Sequence, residues 1–138
     1  MSSTPSSLDL PFQRLRDLRL AMLHLHKALL DSERIVYEQF HGRIKSNVEF
    51  FQLVTEHEWF DWLRPISQLI AKIDEATSAK EPMTIAEANQ LIEAVRSLLK
   101  PAQEGTTLEK QLYRAIQRDP NVAMLQAKVA SLAKTAGD

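Results

Sequence analysis

Three Ser/Thr-x-x-Glu tetrads, Ser46-Asn47-Val48-Glu49, Thr84-Ile85-Ala86-Glu87 and Thr106-Thr107-Leu108-Glu109, each stand directly ahead of apolar residues spaced three and four apart. In such a capping box the hydroxyl accepts from the backbone N–H three residues on, while the glutamate reaches back to the N–H of the cap. Two groups that a helix start leaves orphaned are thereby satisfied locally, so these tetrads predict helix starts. Asp119-Pro120 adds a fourth start, with an acidic cap and proline at the first helical position, where its missing N–H costs nothing.

Between these marks the apolar spacing is helical. Leu15, Leu18, Met22, Leu25, Leu29 and Val36, with Phe40 on the same side, form the stripe of a first helix of about 30 residues that Gly42 ends. A second helix is predicted from Ser46 to about Thr77, kinked or split after Leu63 or Arg64 by Pro65. Ala88, Leu91, Ile92, Val95 and Leu99 stripe a short third helix that Pro101 stops. A fourth element comes in two halves, Leu112, Ala115 and Ile116 before Asp119, and Val122, Leu125, Val129 and Leu132 after it. No sustained apolar–polar alternation and no Asn-Gly or Asp-Gly turn support a strand. The expected fold is all-α, an antiparallel up-and-down four-helix bundle spanning 12–136, preceded by a flexible Ser- and Pro-rich segment over 1–11.

Composition then narrows the function. The chain has 138 residues, enough for roughly two thirds of its unfolded surface to be buried without metal or disulfide support. With no cysteine it has no thiolate chemistry, and a cytoplasmic setting is expected. Its longest apolar runs are four residues, as in Leu20 to Leu23, so neither a spanning helix nor membrane association is expected. Lys and Arg number 17 against 18 acids, which lacks the basic excess that holds nucleic acid. Three glycines, at 42, 105 and 137, leave no dinucleotide fingerprint, P-loop or nucleophile elbow. No serine stands in a recognisable nucleophile setting, so neither catalytic residues nor a cofactor are expected.

Some polar residues fit the bundle poorly. His26 and Glu33 fall within the apolar arc of the first helix, with Tyr37 beside them, and need a partner: a neighbouring side chain, a cation such as Arg19, or a metal. His24 lies on the opposite, solvent side. In the second helix Phe50, Phe51, Leu53, Val54, Trp59, Phe60, Trp62 and Leu63 cover nearly the whole circumference, more than three companion helices shelter. Phe50, Val54, Trp59 and Trp62 are accordingly expected to contact a partner, most simply a second copy in a homodimer. On the same helix His57, Asp61 and Arg64 share a face and are expected to form a helix-surface ion-pair cluster; the alternative is that Asp61, four residues on, orients the His57 imidazole.

His26 followed by Leu29-Leu30 and Glu33, with His57-x-x-x-Asp61 on the next helix, resembles the opening half of hemerythrin-like bundles. That resemblance implies a metal or small-ligand binding and sensing function, with His26, Glu33, His57 and Asp61 as candidate ligands. The pattern departs from that family in that all four histidines, 24, 26, 41 and 57, precede residue 60. Glu38-Gln39-Phe40-His41 supplies one Glu-x-x-His of the kind ferritin-like sites use in pairs, without the second. HKALLDSER (26–34) and WLRPIS (62–67) are similar to segments of a small bacterial family of hypothetical proteins, which implies a bacterial source and assigns no residue a role. The leading expectation is a non-catalytic helical protein that acts through protein–protein or self-association.

Overall fold

The computed structural model describes residues 10–134, and among these all regular secondary structure is helical, without strands. The elements are α1 (Leu10–His41), α2 (Asn47–Glu56), a 3-10 segment (Glu58–Leu63), α3 (Arg64–Ser78), α4 (Ile85–Leu98), α5 (Thr107–Arg118) and α6 (Pro120–Leu132). Of the segment expected to be flexible, residues 1–9 lie outside the described residues, whereas Leu10 and Pro11 open α1, proline being tolerated in a first turn. Residues 135 and 136 of the expected bundle span also lie outside them.

The predicted starts are used. Ser46, Thr84 and Thr106 each accept from the N–H three residues on, at 3.1 Å. Only at Thr106 is the box reciprocal, Glu109 Oε1 accepting from the Thr106 N–H at 2.9 Å. At the α2 start the Glu49 carboxylate reaches one residue further back, to the Lys45 N–H at 3.1 Å. Asp119 caps α6 through the Asn121 N–H at 2.9 Å, with Pro120 in the first turn. Gly42, at φ 87°, takes the left-handed turn that closes α1.

The second helix is not one rod. It breaks at His57, eight residues before the proline expected to break it, and Pro65 enters the first turn of α3 instead of kinking a continuous helix. The physical reason is a cap supplied by an imidazole: His57 leaves helical conformation at ψ 135°, and its Nδ1 accepts from the Trp59 N–H at 3.0 Å. Six residues of 3-10 helix then redirect the chain so that Phe60, Trp62 and Leu63 all enter the core.

Helix α1, 32 residues and so about 48 Å long, is the hub, in contact with the 3-10 segment, α3, α4, α5 and α6. Leu15, Leu18, Met22, Leu25 and Leu29 meet Ile66, Ile70 and Ile73 of α3, Ile92 and Val95 of α4, Leu112 of α5, and Val122 and Val129 of α6 in one buried cluster. Farther along, the stripe leaves that core: Val36 is half-buried and Phe40 is 73% exposed. Arg19, one of the alternative partners considered for His26 and Glu33, pairs with Asp74 and ties α1 to α3. Helix α2 buries no residue fully and packs chiefly on the 3-10 segment.

Candidate functional site

The polar residue that the α1 wheel turns inward is at the centre of a junction. Glu33 is 4% exposed, and both its oxygens are engaged: Oε1 accepts from Arg118 Nη2 at 3.0 Å and Oε2 from the indole Nε1 of Trp59 at 2.9 Å. The Arg118 Nε donates to buried Ser32 Oγ at 3.0 Å, so the last residue of α5 forks onto two consecutive residues of α1. A carboxylate in such a position is stable because the guanidinium and the indole replace the water it has lost.

Trp59 carries this junction into an aromatic cluster. Tyr37 stacks on His41 at 4.4 Å between ring centroids and meets His57, Phe60 and Trp59 at 5.5, 5.6 and 5.7 Å. Phe50 of α2 joins through Phe60 at 5.9 Å, with the Arg34 guanidinium 4.8 Å over its face. These contacts fold α2 and the 3-10 segment against the C-terminal third of α1.

Beside the junction lies a cleft of about 630 Å³, a volume in the range of small-molecule sites. One wall is the stripe Thr107, Gln111, Arg114 and Arg118 of α5; the other is Glu58, Trp59, Asp61 and Trp62 of the 3-10 segment; Glu33 and Val36 form the α1 side. Asp61 is paired with Arg64 at 2.9 Å. Trp62 is 8% exposed, and its Nε1–H has no hydrogen-bond partner. Burying such a donor unsatisfied costs roughly 1–3 kcal/mol.

The residues singled out in the sequence keep some of their expected roles and lose others. Glu33 is buried and paired with a cation and a neighbouring side chain, Arg118 and Trp59. His26 is half-buried, and desolvation lowers its imidazolium pKa below the ordinary 6.5. His57 caps the 3-10 segment and Asp61 holds Arg64, so that carboxylate does not orient that imidazole. Among the described residues no group of three or more His, Asp or Glu side chains is arranged to hold a metal ion. Of the expected partner contacts, Trp62 is buried and Phe50, Val54 and Trp59 are half-buried against the core of the same molecule. The bend at His57 is the reason, since residues spread around one ideal helix are brought to one side. His24 is exposed, as read.

No protein-family model matches the chain, nor does any curated protein or solved structure. No helix among the described residues is long and apolar enough to cross a membrane.

Sequence reasoning missed Ser32, Arg118 and the α5 wall. The available signal was the polar stripe Thr107, Gln111, Arg114, Arg118, at the same helical spacing as the apolar stripe beside it.

Proposed function

We propose that the protein is a non-catalytic helical interaction module, a cytoplasmic homodimer that acts through self-association and needs no cofactor for it. The observation that carries this reading is the outer side of α2, where Val48 and Phe51 are 68 and 69% exposed. Val48 and Phe51 stand one turn apart on α2, a helix whose inner side, Phe50, Leu53 and Val54, already packs on the core. The interface is thus assigned to the opposite side of α2 from the one the sequence suggested. Single exposed apolar residues are ordinary, whereas a grouped set is a contact surface.

Charge favours a second copy as the occupant. Exposed Arg43 and Lys45 precede the apolar pair and exposed Glu49 and Glu56 follow or flank it. Two α2 helices related by a two-fold axis and running antiparallel would set the bases of one copy against the acids of the other. In this reading α1, α3, α4 and the α5–α6 arm are the rods of an antiparallel up-and-down four-helix bundle, supported by the contacts of α1 with each of them. Light scattering over a concentration series tests the proposal. A dimer that dissociates on dilution, and a Phe51→Asp variant that stays monomeric with unchanged helical circular dichroism, are expected. A wild-type protein monomeric at high micromolar concentration overturns it.

A further inference from the structure

The cleft between α5 and the 3-10 segment has a pattern of committed and uncommitted groups that self-association does not use. Glu33 is spent on Arg118 and Trp59, and Asp61 on Arg64. Arg114 and Glu58, on opposite walls, make no ion pair among the described residues. In the same lining Trp62, more than nine-tenths buried, keeps an indole N–H without an acceptor. The accessible uncommitted groups are thus a guanidinium, which calls for an anionic acceptor, and a carboxylate, which calls for a cation, while the Trp62 ring adds apolar surface and its Nε1 stays enclosed.

The charge balance decides between ligand classes. Of the carboxylates in the lining, Glu33 is neutralised by Arg118 and Asp61 by Arg64, so a plain anion gains from Arg114 but faces the uncompensated carboxylate of Glu58. A molecule with both signs meets neither penalty. We propose that this cleft binds a small zwitterion of the amino-acid type, its carboxylate held by Arg114, its ammonium by Glu58, and its side chain against Val36 and the indole of Trp62. Arg is suited to the task because its planar fork matches a carboxylate in two parallel hydrogen bonds.

The chain's two tryptophans, Trp59 and Trp62, both line this cleft, so intrinsic fluorescence reports its occupancy directly. The full chain is titrated with each of the common amino acids in turn, to about 10 mM, where even weak sites with millimolar dissociation constants fill. A saturable fluorescence change with at least one of them, with a matching rise in melting temperature, is expected. Arg114→Gln, at an exposed position that leaves the fold intact by circular dichroism, should weaken it about tenfold or more, the size of a lost charged hydrogen bond. Glu58→Gln should weaken it too, while acetate and methylamine, each carrying one charge only, should leave the fluorescence unchanged. No response to any amino acid, an undiminished response in both variants, or an equal response to acetate overturns the proposal.

Discussion

Glu33 and Arg118, 85 residues apart in sequence, meet at 3.0 Å and join the C-terminal third of α1 to the end of α5. The carboxylate is nearly inaccessible and the guanidinium about one-third exposed, so the pair is worth more than a surface ion pair and less than a fully buried one. Removing one partner strands the other.

Glu33→Gln should therefore destabilise the protein by about 2 kcal/mol, because the amide satisfies the Trp59 indole but not the charge of Arg118. Arg118→Ala should cost about as much, since it leaves the carboxylate buried with the indole alone. Urea denaturation of the two variants and of the double variant measures this. A double variant no less stable than either single one would show that the two losses are one interaction.

The imidazole cap at His57 is open to the same kind of measurement. His57→Ala should lower stability by about 1 kcal/mol, the usual cost of losing a side-chain cap, and His57→Asn should restore most of it. Equal loss in both variants would mean that ring packing against Tyr37, and not the acceptor atom, is what the position supplies.

Stability should fall in mild acid on account of His26. Desolvation depresses its pKa in the fold, so below 6.5 the unfolded chain binds a proton that the folded chain takes up only at lower pH. The neutral form's stability is intact above 6.5 and is lost as pH drops through the folded value. His26→Gln should flatten this part of a melting-temperature profile; an unchanged slope would assign it to other groups.

Gly105 stands where a Cβ would collide with the Glu109 carboxylate that closes the Thr106 capping box. Gly105→Ala is expected to expel that carboxylate and cost about 1 kcal/mol. In a Glu109→Ala background the same substitution should cost less, a difference read from thermal or chemical denaturation.

The contrast between Thr106 and His57 separates what was legible in the sequence from what was not. Helix starts at Ser46, Thr84, Thr106 and Asp119 were readable because each rests on a cap and a backbone N–H two or three residues on. His57 does the same work with a side chain that does not announce a cap, and Pro65 drew the expected break to the wrong place. On one continuous rod, the apolar residues from Phe50 to Leu63 would exceed what the molecule can shelter. With the bend, Phe60, Trp62 and Leu63 are core. The inward turn of Glu33 followed from helical period alone, whereas its partner lies on another helix, and no local pattern pairs residues 85 apart.

Helix α2 joins the molecule through half-covered side chains only, with no residue fully enclosed. In the dissociated protomer its ten residues can therefore detach without opening the interior around α1, so their amide hydrogens should exchange with solvent through a low-energy excursion of their own, well before those of α1 or α4. A protease added to the native protein would find its first productive substrate in that excursion, leaving the hub and its remaining neighbours to be cut later.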